Sequence, residues 1–360
     1  MDASIFDYDL PAERIAQEPA KVRDASKLLV VNRQQGSLEH RSFRDLPDYL
    51  GEKDLLFRNT AKVLPARIYA ARPTGGQVEC LLLRPANAAS NRWWCLLRPG
   101  RKLPPGSKFG LEEQFEAKVM NKNDEAHEYL VHFKLFKHAS VAALAADQGK
   151  MPLPPYIRRD KHDDRDSDDK SRYQTVFASD NKMVAAAAPT AGLHFTPELN
   201  QKLKSQGVET FDLTLHVGMG TFKPLEEGEI AGHEIHRELY EIPVEAQAAL
   251  RSAPTDGRRR VCVGTTSTRS IEDYLTHAKA ATNDTWLREA DIFIYPPYRF
   301  LGVDALITNF HMPKSTLLCL VSSFLSQGDT DGIDWLKEIY AEAIAREYRF
   351  LSYGDAMLIL

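Results

Sequence analysis

The chain has 360 residues, 43% hydrophobic and 27% charged, with 46 Lys+Arg against 50 Asp+Glu and a formal net charge of −4. At roughly 150 residues per domain this gives room for about two domains with substantial cores. It excludes wholesale disorder and a uniformly basic nucleic-acid coat. The N-terminus lacks an apolar h-region, no run approaches ~18 apolar residues, and the four cysteines form no CxxC pair. The expectation is therefore a soluble cytoplasmic protein with reduced cysteines and no membrane partner.

In chain order, LPAERIAQ reads as a short helix, KLLVVN (27–32) as a buried strand, and Phe43–Leu50 as a helical stretch ending at Gly51. From about Pro65 to Lys150 short alternating runs such as QVECLLL and RWWCLLR lie between turn clusters, which predicts a small antiparallel β-barrel or sandwich. A short helix over 141–146 and the extended MPLPPYIRR follow, then KHDDRDSDDKSR, read as an exposed loop. Beyond Val184 helices and strands alternate. PELNQKLKSQG, VEAQAALRSA, STRSIEDYLTHA, STLLCLVSSFL and IDWLKEIYAEAIAREY read as helices. ETFDLTLHV, RRVCVGT, DIFIYP and VDALITNF read as strands. This rhythm predicts a layered α/β main domain with a largely parallel sheet. It is discontinuous, 1–64 with 151–360, and carries the β-module 65–150 as an insertion.

Unusual polar residues cluster in the second half. Thr190, Gly192 and His194 in PTAGLHF leave room for a ligand near backbone N–H groups. His216, Gly218 and Gly220 in TLHVGMGTF do the same at a strand end, but without a dinucleotide fingerprint. His233-x-x-His236-x-Glu238 has metal-ligand residue types but not the HExxH spacing, which favours hydrogen-bonding or proton-transfer histidines. Thr265, Thr266, Ser267 and Arg269 stand at a strand-to-helix junction suited to an anion or ribose, or alternatively to simple capping. Asn309, His311 and Lys314 follow the end of an apolar strand, where open α/β sheets bind ligands, and Tyr353 and Asp355 close the chain. Taken from the residues alone, this is an α/β protein with a polar ligand and an open function.

The ordered set FDYDLPAERIAQEP, RDASKLL, MPLPPYI, APTAGLHF, TLHVGMGTF, HEIHRE, VGTTSTRSIE, DIFIYP, VDALITNFHMPKSTLL and YRFLSYGDAML resembles one family from residue 2 to the last residue. That family is the S-adenosylmethionine:tRNA ribosyltransferase-isomerases of queuosine biosynthesis. The resemblance implies transfer of the ribosyl group of S-adenosylmethionine to 7-aminomethyl-7-deazaguanine at the wobble position of tRNAs with GUN anticodons. Isomerisation then gives epoxyqueuosine, with adenine and methionine released. It implies a monomer using S-adenosylmethionine as co-substrate, with no metal and no permanently bound cofactor.

On this reading His194, His216, His233, His236 and His311 are the acid–base candidates, without assignment among them. Thr190, Gly192, Gly218, Gly220, Thr265, Thr266, Ser267, Arg269, Tyr353 and Asp355 would hold S-adenosylmethionine. Within that set, Tyr353 and Asp355 would face the sulfonium and Arg269 the carboxylate. Asn59, Lys62, Arg67, Asn309 and Lys314 would contact tRNA or its base, as would Arg98, Arg101 and Lys102 in the β-module. Arg258–Arg260 is the alternative basic cluster. Two departures from the family pattern stand out: Lys62 replaces an arginine, and Pro297 replaces a glycine. The rival readings are a metal-dependent hydrolase built on His233 and His236, and a non-catalytic RNA-binding protein.

Overall fold

Four consecutive apolar residues make KLLVVN a strand that can be covered on both faces, and Leu28, Leu29, Val30 and Val31 are all buried. The computed structural model describes every residue except 88–90, 160–162, 164, 186, 217–224, 226–227 and 234. The chain opens with strands β1 (Lys27–Asn32), β2 (Ser37–Ser42), β3 (Asp54–Asn59) and β4 (Lys62–Val63). Next come β5 (Arg67–Ala71), β6 (Gln77–Pro85), β7 (Arg92–Arg98), β8 (Lys108–Leu111), β9 (Phe115–Asn123) and β10 (Glu128–Leu135). Then follow α1 (Val141–Gln148), α2 (Asp166–Arg172), β11 (Met183–Ala185), α3 (Pro197–Ser205), β12 (Glu209–Leu215) and β13 (Glu238–Ile242). The last elements are α4 (Val244–Asp256), β14 (Arg259–Val263), α5 (Gly264–His277), β15 (Trp286–Ala290), β16 (Ala305–Asn309), α6 (Thr316–Leu325), α7 (Gly332–Ala345) and β17 (Ala356–Ile359).

The main sheet has nine strands in the order β15-β13-β12-β3-β14-β16-β17-β1-β2. It is parallel in the middle, β12 through β3 and β14 to β16, and again between β17 and β1. The remaining pairings are antiparallel, so the sheet is mixed rather than largely parallel. Apolar side chains cover both faces: Leu29 and Val31 join one cluster with α6 and α7, while Leu28 and Val30 join another with α3. Strands β5 to β10 close into a barrel, which leaves no free sheet edge. Along β9, Phe115, Ala117 and Val119 point into the barrel core, and Glu116, Lys118 and Met120 are exposed. All four cysteines are buried and unbridged. Among the described residues no helix is long and apolar enough to cross a membrane.

Three local expectations are corrected. LPAERIAQ forms only a 3-10 turn over Ala12–Arg14. DIFIYP is not a strand, because β15 just before it takes the pairing with β13; its last residue, Pro296, and the following Pro297 lack N–H donors. The charge run 161–172 is not wholly an exposed loop. Its Asp166–Arg172 portion is helical with acids in the first turn, and Asp169 is buried, bound by Arg159 at 2.7 Å.

Candidate active site

Strand β14 runs into α5 without an intervening loop, through Gly264 at φ +89°, a conformation that favours glycine. The first-turn N–H groups of α5 have no intrahelical partners, and they lie where β14 and β16 end, the ordinary ligand position of an open α/β sheet. Here a cleft of about 840 Å³, counting its open mouth, is walled by Thr190, Thr265, Thr266, Asn309, His311 and Ser352, among others. A second cleft of about 640 Å³, lined by His233, His236 and Arg269, shares Thr265, Thr266 and Leu317 with the first. Thr266 Oγ1, at the shared wall, is buried without a hydrogen-bond partner among the described residues.

Asn309 sits at the last position of β16, and its amide organises the first cleft. Its Oδ1 accepts from Thr190 Oγ1 at 2.8 Å, and its Nδ2 lies 3.2 Å from His194 Nε2. The other ring nitrogen of His194 is 2.8 Å from Ser26 Oγ, whose hydroxyl donates to the Arg23 carbonyl. Ser26 therefore accepts from Nδ1–H, and Nε2 is the acceptor for Asn309. Burial, with Arg349 and Arg23 nearby, pushes the His194 pKa down to about 3 and keeps the ring neutral. His194 lies behind Asn309 and Thr190 and does not line the cleft. It positions the groups that do.

His311 does line the cleft. Its Nε2 is 2.8 Å from Thr308 Oγ1, and no described residue meets Nδ1. Its backbone is clamped by two tyrosines, Tyr8 donating to the carbonyl and Tyr340 accepting from the N–H. Burial pushes this imidazole down to about 3 as well. On the same cleft Tyr156 Oη is 2.6 Å from Ser352 Oγ, and burial raises the phenol to about 12.

In the second cleft Arg269 is committed to the protein. It pairs with Glu238 at 2.7 Å and donates to the carbonyls of His236, Ala290 and Ile292, which uses four of its five N–H groups. This buried fork ties β13, β15 and α5 together, so the group expected to grip a ligand carboxylate serves the scaffold instead. Ser267 is likewise engaged, donating to the Val263 carbonyl.

Other expected site residues fall elsewhere. His216 is 3.1 Å from Glu241, which also pairs with Lys182; it does not line either cleft, and Gly218 and Gly220 lie outside the described residues. Gly192 is small because a Cβ there would meet Phe177 at 2.7 Å. Tyr353 donates to Asp169, and Asp355 accepts from the backbone N–H groups of Lys27 and Arg349. Asn59 bridges β3 and β12 through Leu215 and Ala61. Lys314 pairs with Asp7, Arg67 with Glu79, and Lys62 with Asp180. Arg258, Arg259 and Arg260 are each neutralised, by Glu209 and Asp256, by Asp54 and by Asp304. Arg98, Arg101 and Lys102 are exposed, without an ion-pair partner among the described residues. Gly264, Thr308, Tyr156 and Ser352 also line the first cleft and were not expected. The prolines around Tyr156 and the dipeptide Ser352-Tyr353 were the available signals.

The Lys62–Asp180 pair is exposed, and such pairs contribute little to stability. Lys62→Ala is therefore expected to leave the urea midpoint essentially unchanged. A larger loss would mean that the pair secures the short parallel contact of β4 with β11.

Fold and cleft define a mixed α/β protein with an inserted closed barrel and a cleft at the strand ends. A sequence model of the queuosine biosynthesis protein family matches residues 3–359. The chain is 43% identical over 360 residues to the S-adenosylmethionine:tRNA ribosyltransferase-isomerase of Thermotoga maritima, with full coverage of both. It is 45% identical over 366 residues to the protein of that name from Symbiobacterium thermophilum, again with full coverage. A crystal structure of S-adenosylmethionine tRNA ribosyltransferase from Thermotoga maritima matches 99% of the chain at 36% identity and a TM-score of 0.55. The chain belongs to this queuosine biosynthesis family of transferase-isomerases.

Proposed function

We propose that the chain transfers the ribosyl group of S-adenosylmethionine to 7-aminomethyl-7-deazaguanine at the wobble position of GUN-anticodon tRNA. The transferred ribose is isomerised to the epoxycyclopentanediol of epoxyqueuosine, and adenine and methionine leave. The enzyme acts as a cytoplasmic monomer without a resident cofactor, and residues 65–150 form a domain inserted into 1–64 and 151–360. The observation that carries the reading is the pair of clefts joined at the N-terminus of α5, with an orphaned hydroxyl at the junction.

The methionine carboxylate suits the first turn of α5 and Thr266, where N–H donors and the orphaned hydroxyl need an acceptor. A sulfonium acidifies its neighbouring C–H groups, and His233 and His236, which line the second cleft, would serve as the bases. His311 is held neutral, which suits it to hydrogen-bonding the departing adenine rather than storing a proton.

The deciding assay incubates the protein with S-adenosylmethionine and tRNA carrying the precursor base. Release of adenine and methionine in step with base modification is the expected result. RNA binding without adenine release would leave a non-catalytic binder, and activity abolished by chelator and restored by zinc would favour the hydrolase.

A further inference from the structure

Between the barrel and the segment that leaves it runs a groove of about 1450 Å³, counting its open mouth, larger than either cleft. One wall is the outer face of three adjacent barrel strands. Their register sets Tyr69, Glu79 and Arg98 in one cross-strand row and Arg67, Leu81 and Leu96 in the next. The other wall is the proline-rich stretch 150–159 with the start of α2.

The charge balance of this groove is uneven. Among the described residues its three carboxylates are each matched: Glu79 by Arg67, Asp166 by Lys150 and Asp169 by Arg159. Arg98 and Arg158 remain, both exposed and without an ion-pair partner among the described residues. Tyr69 beside them is 40% exposed, and Pro155 opposite is exposed too. Unneutralised arginines alongside an exposed aromatic and apolar platform are what a single nucleic-acid strand requires, cations for phosphate and flat faces for bases.

The groove also abuts the cleft. Pro155 and Ile157 face the groove, while Tyr156 between them lines the first cleft. Ser352, bonded to Tyr156, lines the cleft, and its neighbour Tyr353 is bonded to Asp169 on the groove. We propose that this groove holds the single-stranded anticodon-loop backbone of tRNA, with Arg98 and Arg158 on its phosphates, so that one unstacked base passes the Tyr156 wall into the cleft. An enzyme that reacts on a base must take that base out of its stack. The inference rests on the tRNA-modifying reading above and adds where the RNA lies.

The test measures affinity for a short anticodon stem-loop RNA with a GUN loop by fluorescence anisotropy at several salt concentrations. Arg98→Glu with Arg158→Glu is expected to weaken binding on the order of tenfold or more and to reduce the salt slope by about 1.4, two contacts at about 0.7 each. Arg98→Lys with Arg158→Lys should stay within about threefold, since point charges on phosphate suffice. Lys202→Glu with Lys204→Glu, both exposed on α3 and not lining the groove, should bind as wild type. Unchanged affinity and slope in the glutamate variant, equal loss in the lysine variant, or equal loss in the α3 control would each overturn the placement. Wild-type protein that binds no RNA would overturn the functional reading as well. Adenine release by a glutamate variant with wild-type affinity would overturn the groove alone.

Discussion

Replacing His311 by alanine is expected to lower turnover by about 10²–10³-fold, the usual cost of removing one preorganised donor from a site of developing charge. The imidazole has one nitrogen tied to Thr308 and the other without a described partner, and burial keeps it neutral. If Thr308 donates to Nε2, the proton sits on Nδ1 and faces whatever enters the cleft. An asparagine amide nitrogen occupies nearly the place of Nδ1 and donates from it without ever accepting a proton. His311→Asn should therefore recover a substantial part of the rate that His311→Ala loses, with S-adenosylmethionine affinity changed only a few-fold in both. If asparagine is as inactive as alanine, the residue carries a proton, and the donor role is wrong. If alanine turns over normally, His311 leaves the mechanism altogether.

Stability is expected to fall steeply as pH drops below about 6.5, well before most carboxylates titrate. His194 and His311 have folded pKa values near 3 against 6.5 for the ordinary side chain. Between those values the unfolded chain binds protons that the folded chain refuses. The stability contributed by the neutral rings is therefore complete above 6.5 and is lost progressively as pH falls toward 3. Each ring costs about 1.4 kcal/mol per pH unit, so the pair removes on the order of 5 kcal/mol between pH 6.5 and 4.5. Glu241, held low by Lys182 and His216 against the opposing effect of burial, adds its loss only below the usual carboxylate range. Urea midpoints at pH 7.5, 5.5 and 4.5 read the slope. A His194→Gln, His311→Asn double variant should show a flatter one, and an identical slope would mean that the two rings are not the source.

The elements that could be read in advance are those whose pattern is local. KLLVVN, VDALITNF and PELNQKLKSQG carry their periodicity and caps within a few residues, and each forms the expected strand or helix. The barrel was legible because turn clusters punctuate its alternating strands. DIFIYP failed because its apolar residues serve a cleft wall, a demand that periodicity does not encode. Asp169 failed for a similar reason: a buried acid in a charge run depends on Arg159 and Tyr353, the latter far along the chain. At the site, small residues ahead of a helix pointed to Thr190 and a strand end pointed to Asn309 and His311, and the structure sets the three on one cleft. Residue type alone could not separate Arg269, which binds three elements of the scaffold, from a ligand-gripping arginine.

The pairing of β17 with both β16 and β1 has a consequence for the order of folding. Strand β17 lies between its neighbours with all four residues buried, so the β1–β2 hairpin cannot join the sheet until residues 356–359 have been synthesised. The barrel needs only contacts within 67–135 and can form while the ribosome is still making α3. Until synthesis reaches β17, β1 exposes four apolar residues and one unpaired edge, the kind of surface that invites association with other nascent chains. The first strand of the sheet is thus among the last to be secured, and its vulnerable period lasts through the synthesis of residues 33–359.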